Sequence, residues 1–189
     1  MKTKLILAAA AAFVTAPALA QTLPPPVVIV VDMDRVVNDS AAGKQATAEL
    51  KTRNDALQAR VNQLRTQFGT EEQTLGKSQP AQGAAPAAVT AWETKARDYQ
   101  QRRQAAEADV QKRIQDLQLS QRYVLKQIND GTTPIVTAVM RERGATIVLP
   151  ENATLQHAAS LDVTTDVIAR LDKALPRVST TAPAAAPAK

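Results

Sequence analysis

Between Ser40 and Lys77 the chain runs 38 residues without a proline, and its large apolar side chains fall at Leu50, Leu57, Val61, Leu64, Phe68 and Leu75. Steps of seven, four, three, four and seven make an a/d seam, with Asn54 and Glu71 filling its two polar positions. At ~1.5 Å per residue such a helix reaches ~57 Å. A second stretch, Val89 to Asn129, again lacks Gly and Pro, and carries Trp92, Tyr99, Ala106, Val110, Ile114, Leu117, Val124, Leu125 and Ile128 as a thinner stripe. Between them Gly76–Pro86 holds two glycines and two prolines and reads as a flexible tip. Folding about residue 83 sets Phe68 near Tyr99 and Leu57 near Val110, so the two stripes zip antiparallel. Two long arms with one narrow seam make a hairpin and not a globule. After residue 20 the aromatics are only Phe68, Trp92, Tyr99 and Tyr123, too few for the core of an ordinary compact enzyme.

The flanks carry β signals. Val27–Val31 is five consecutive β-branched residues, a short strand with Val28, Ile29 and Val30 at its centre, and Asn38, Asp39 and Ser40 offer N-caps for the first long helix. Asp130-Gly131 ends or bends the second helix, and Thr133-Pro134 restarts it as a short helix that stops at Gly144. Ala145–Leu149, with Ile147, Val148 and Leu149, reads as a second strand, and Thr154–Ala158 as a third, edge-like one. Asp162 or Thr164 caps a last helix with Val167, Ile168, Leu171 and Leu175 on one face, ended by Pro176. The expected fold class is therefore α+β, mainly α: a helical hairpin over 40–129 on a small β-containing base formed by 21–39 and 130–176. A Pro/Ala tail at 177–189 is expected to be disordered. So few short strands and helices cannot bury a large core, and the base should complete itself by oligomerisation through Val28, Ile29, Val30, Ile147, Val148 and Leu149.

The first twenty residues read as a cleaved secretory leader. Lys2 and Lys4 precede an apolar run, Leu5–Val14, and Ala18-Leu19-Ala20 is a small-x-small site, placing cleavage after Ala20. The run is too short to span a bilayer, so an exported, periplasmic chain is expected. With no cysteine, neither disulfides nor thiol chemistry is available. Residues 40–129 hold 14 Lys/Arg against 9 Asp/Glu, a net of +5. The rest of the exported chain holds 7 against 9, so the arm is basic and the remainder mildly acidic. Arg102-Arg103 and Lys112-Arg113 are its doublets, with Glu107, Asp109 and Asp116 interleaved. Acidic partner chains, anionic lipid and lipopolysaccharide all suit such an arm. Nucleic-acid binding would be adventitious and lost at higher salt.

Catalytic motifs are wanting. Gly69–Ser78 superficially resembles a phosphate loop, but six residues separate its glycines where four are required, and no strand precedes it. Asp32 and Asp34 after the first strand read as strand-terminating, solvent-facing residues and not as a metal pair. His157 is the only histidine and reads as a surface residue near the edge strand; the sequence holds no second histidine for a cluster or triad. The expectation is a non-enzyme with no cofactor and no metal.

Three segments carry a family resemblance. Val27–Leu50 (VVIVVDMDRVVNDSAAGKQATAEL) is similar to the start of the Skp, or OmpH-like, periplasmic chaperones, with a hydrophobic strand, a polar turn and an N-S/D-x-x-G-K helix start. Thr133–Leu149 (TPIVTAVMRERGATIVL) matches its proline-led helix, glycine and aliphatic strand, and Asp162–Leu175 (DVTTDVIARLDKAL) its closing helix. The resemblance implies a homotrimer with a β-rich base and three tentacle-like hairpins around a cavity that takes unfolded outer-membrane β-barrel proteins without ATP. Departures are the Gly/Pro-rich tip and the Pro/Ala tail. On this reading Phe68, Leu75, Trp92 and Tyr99, with Arg102 and Arg103, touch clients. A structural or adaptor coiled-coil protein of the envelope is the alternative, expecting an anchor or partner-binding domain that the sequence does not display.

Overall fold

The computed structural model describes residues 25–183. The expected leader, 1–20, and residues 184–189 of the tail lie outside the described residues. In chain order come β1 (Val28–Val31), α1 (Met33–Asp39), α2 (Ala41–Lys77), α3 (Pro86–Arg143), β2 (Ile147–Pro150), two 3₁₀ turns (Glu151–Ala153 and Ala159–Leu161) and α4 (Thr164–Ala174). The fold is α+β and mainly α: α2 and the first part of α3 form an antiparallel hairpin, and the remaining elements gather around its root.

Asp32 does more than end the strand. Its side chain accepts from Arg35 N at 2.9 Å and caps α1, a seven-residue helix where the sequence pattern predicts only a turn. Ser40 then closes α1 and opens α2, accepting from Gly43 N at 3.1 Å. A Cβ at Gly43 would stand 1.6 Å from the Val37 carbonyl oxygen, so only glycine lets α2 turn so tightly off α1. Asp172 of α4 accepts from Ala41 N at 2.7 Å and anchors that corner.

The second helix does not stop at Asp130-Gly131; α3 runs 58 residues, with Pro134 inside it. Proline removes a single donor, the one owed to the Asp130 carbonyl, while Thr132 and Thr133 hydroxyls bond back to Ile128 O (2.7 Å) and Asn129 O (2.9 Å). Gly131 is there for packing. A Cβ in its place would lie 2.9 Å from Leu175 Cδ2 and 3.4 Å from Leu171 Cδ1, both of the α4 segment. The helix ends where expected, with Gly144 left-handed at φ 62°.

β1 and β2 pair in parallel, with Val28 opposite Ile147 and Val31 opposite Pro150. The expected strand at 154–158 is absent; the chain forms a 3₁₀ turn after Pro150 instead, and His157 Nε2 sits 3.6 Å from Glu151 Oε1. On its other side β1 is covered by the approach to α4, through a Val30–Asp162 bridge and Val163 N donating to Val30 O at 3.0 Å. The core lies at the arm root: Ile29, Val31, Val36, Ala42, Ala46, Val124, Ile128, Val139, Val163, Val167 and Leu171 bury one another there. Arg170 pins α4 to α3 with two 2.7 Å bonds to Glu142, and takes Asp166 at 2.8 Å. Those hydrogen bonds hold the Glu142 carboxyl below its ordinary range. Residues 178–181, expected in a disordered tail, are instead docked: Val178 joins the core and Thr180 is buried.

Candidate functional site

The distal arm is built on a few aromatic contacts. Tyr99, only 4% exposed, meets Phe68 edge to face with centroids 5.8 Å apart and planes at 77°. Its hydroxyl donates to Phe68 O at 3.4 Å. Trp92 donates Nε1–H to Leu75 O at 3.0 Å and fastens the first turns of α3 to the last turn of α2. Phe68, Leu75, Trp92 and Tyr99 are thus gathered along one stripe, and that stripe is the hairpin seam. Phe68, Leu75 and Trp92 stay half-buried, with surface left over; Tyr99 is covered and works inside the seam. Pairing drifts toward the root, where Leu57 shares a depression with Leu117 and Ser120, while Val110 sits beside Val61 and Leu64.

Arg102 and Arg103 are not bare cations. Arg102 spans the hairpin to Glu71 with Nη2–Oε2 at 2.8 Å and Nη1–Oε1 at 3.2 Å, and its Nε binds Asp98 at 2.8 Å. The fork raises the guanidinium further above its ordinary range, and the same hydrogen bonds hold Glu71 below the usual carboxylate range. Arg103 pairs with Glu107 at 3.0 Å, and Arg113 with Asp109 at 2.9 Å. The sequence placed Glu71 in the seam but did not connect it to Arg102, which is 31 residues away. Among the described residues, Lys44, Arg53, Arg60, Arg65, Lys77, Lys95, Arg97, Lys112 and Arg122 of the arm make no ion pair, and they outnumber the unpaired Glu49, Glu72, Glu93 and Asp116, which leaves the arm positive.

Small residues open grooves beside the seam. Gly69 and Ala106 leave space between α2 and α3, and a Cβ on Gly69 would touch nothing. The resulting groove, about 420 Å³, has Val61, Leu64, Phe68, Tyr99 and Val110 as its floor and Arg65, Glu72, Arg103 and Glu107 on its rims. Along the other edge of the seam lie two smaller depressions. One, of about 340 Å³, takes in Arg60, Gln67, Arg102, Ala105 and Ala106; the other, about 250 Å³, takes in Thr70, Thr74, Leu75, Lys95 and Arg102. The sequence signal for these grooves was present in the run of small residues opposite Phe68, and a count of apolar positions passes over it.

At the base the six expected interface residues divide. Ile29 and Val30 are 3% and 2% exposed and belong to the chain's own core, and Val28 is half-buried at the start of β1. Ile147 is 40% exposed on β2, a strand that among the described residues is paired on one side only, with Val148 and Leu149 half-buried beside it. No helix among the described residues is long and apolar enough to cross a membrane.

The sequence profile of the family described as "Outer membrane protein (OmpH-like)" matches residues 27–171. No curated protein matches the chain. Among solved structures, a crystal structure of a candidate outer membrane chaperone (OmpH-like) from Caulobacter crescentus superposes with a TM-score of 0.69 at 22% identity, covering 84% of this chain and 90% of that one. At that identity the likeness speaks for the fold.

Proposed function

The chain belongs to the OmpH-like family, and from that premise we propose that it is an ATP-independent holding chaperone of the periplasm that keeps unfolded outer-membrane proteins from aggregating. The observation that carries this reading is the groove beside the seam: apolar on its floor, charged on both rims, shallow and open along its length. An unfolded β-barrel segment is apolar at alternate residues. Such a groove offers it many weak contacts and no deep pocket, while the unpaired Arg60, Arg65, Lys95, Lys112 and Arg122 attract acidic chains at long range. Several arms around one cavity would multiply those contacts through effective concentration, so that each exchanges fast while the client stays held.

The description of the Caulobacter crescentus protein as a candidate chaperone supports the reading, and the leader-like sequence at 1–20 supports export. The one-sided β2 with Ile147 outward supports an oligomeric base, and the family resemblance supplies the number three. Anionic lipid or lipopolysaccharide would meet the same unpaired cations. In this reading Phe68, Leu75 and Trp92 offer clients their exposed edges, Arg103 borders the groove, and Tyr99 and Arg102 hold the two helices at the spacing that keeps it open.

The test is light scattering as a urea-unfolded outer-membrane β-barrel protein is diluted into purified protein without nucleotide. Suppressed scattering, with a soluble complex on a sizing column, is expected; aggregation unchanged at several-fold excess, at low and at physiological salt, would sink the proposal. Val61→Gln with Val110→Gln alters the groove floor without touching the aromatic seam. That double variant should hold clients less well while keeping its helical content.

A further inference from the structure

The segment after α4 makes bonds that neither a tail nor a chaperone arm requires. It leaves α4 at Leu175 and crosses to the arm root, where Gln127 of α3 reads the backbone of Ser179 at both ends: Ser179 N donates to Gln127 Oε1 (3.0 Å), and Gln127 Nε2 donates to Ser179 O (2.8 Å). On α2, Val178 N donates to Gln45 Oε1 at 3.1 Å. Arg53 donates to Thr180 O at 2.7 Å, to Thr180 Oγ1 at 3.0 Å and to Thr181 Oγ1 at 3.1 Å. Thr180 Oγ1 in turn donates to Glu49 Oε2 at 2.7 Å, and that bond is the foremost reason the Glu49 carboxyl lies below its ordinary range. Val178, 8% exposed, is seated between them in the core.

These contacts add a further connection between base and arm, alongside the core that Ala42, Ala46, Val124 and Ile128 of the arm form with Val36, Val139, Val167 and Leu171 of the base. The arm enters the base through α3 at Gly131–Pro134, where one helical hydrogen bond is missing and glycine faces α4. The segment starts from α4, on the base side of that joint, and grips Gln127, Gln45, Glu49 and Arg53 on the arm side. We infer that residues Pro176–Thr181 are a strap that braces the arm against the base and so limits how far the arm swings relative to it. The strap lies beyond the 27–171 span that matches the family model.

The chain has no cysteine, so spin labels can be placed at Arg65→Cys on the arm and Lys173→Cys on α4, diluted into unlabelled protein so that each assembly carries one labelled chain. The distance distribution between the labels should broaden when the chain is ended after Leu175, and again in full-length Thr180→Val, which keeps the shape of the side chain but loses the hydroxyl that joins Glu49 to Arg53. Amide exchange over residues 45–57 should quicken about tenfold in Thr180→Val, on the scale of losing hydrogen bonds to charged partners, while residues 28–36 and 163–171 keep their protection. An unchanged distribution in both variants would overturn the proposal. So would exchange that quickens equally in arm and base, because the segment would then be an ordinary part of the core. Neither readout involves a client, so the strap stands or falls apart from the chaperone reading.

Discussion

Gly43 and Gly131 are both helical glycines, and they answer to different neighbours. At Gly43 an added methyl would meet backbone, the Val37 carbonyl oxygen at 1.6 Å and its carbon at 2.8 Å, and neither can move without shifting α1 against α2. At Gly131 the nearest atom, at 2.9 Å, is the end of the Leu175 side chain, which has other rotamers. Alanine favours a helix over glycine by up to ~1 kcal/mol at either place. At Gly43 the clash overwhelms that gain. Gly43→Ala is expected to destabilise by ~3 kcal/mol, lowering the melting temperature by about 6–12 °C. At Gly131 the two effects nearly cancel, so Gly131→Ala should stay within ~1 kcal/mol of the parent. Thermal melts of both variants followed by circular dichroism check the pair, and equal losses at the two positions would refute the distinction.

At the scale of elements, Pro134 shows where local signals lose to tertiary structure. Pro134 is exposed, so Pro134→Ala gives up no packing, and it restores a donor to the Asp130 carbonyl. The gain in the helix, less the chain entropy that proline removes from the unfolded state, leaves an expected stabilisation of ~1–2 kcal/mol and a higher melting temperature. A fall in chemical or thermal midpoint would mean that α3 depends on a proline bend at that place. The same region explains what could be read in the sequence. The a/d spacing from Leu50 to Leu75, the Ser40 cap and the aliphatic strands at 28–31 and 147–149 depend on near neighbours, and the sequence displays them. The continuity of α3 depends on Leu171 and Leu175 facing Gly131, some forty residues further on, and Gly-Thr-Thr-Pro alone reads as a break. Thr154–Ala158 has strand-like composition but finds no partner edge. The site was legible to the same degree: Phe68, Leu75, Trp92 and Tyr99 were identifiable as one stripe. The groove beside them needs Gly69 and Ala106 set opposite each other, and the ionic clamp needs Glu71 beneath Arg102. The strap had no local signal at all, because Val178–Thr181 is held by Gln45, Glu49, Arg53 and Gln127.

For the whole molecule, the decisive feature is a parallel sheet of two strands with one edge left open. Parallel strands are ordinarily buried on both faces, and two alone are marginal in water. Here β1 is covered on one side by the Val163 backbone and on the other by β2, but β2 has no second neighbour among the described residues and turns Ile147 outward at 40% exposure. An aliphatic edge of this kind pairs with another chain unless something blocks it. If copies of this chain meet through β2, a charge at Ile147 should prevent assembly without disturbing the protomer, because the side chain lies outside the chain's own core. The parent is then expected to sediment as an oligomer, and Ile147→Asp as a monomer at micromolar concentration with full helical content. It should also lose most of its ability to suppress aggregation, since a single arm keeps its grooves but encloses no space and gains nothing from effective concentration. An Ile147→Asp protein that remains oligomeric would move the interface away from β2. A monomer that still holds clients at parent stoichiometry would locate the binding in the individual grooves and dispense with the cavity.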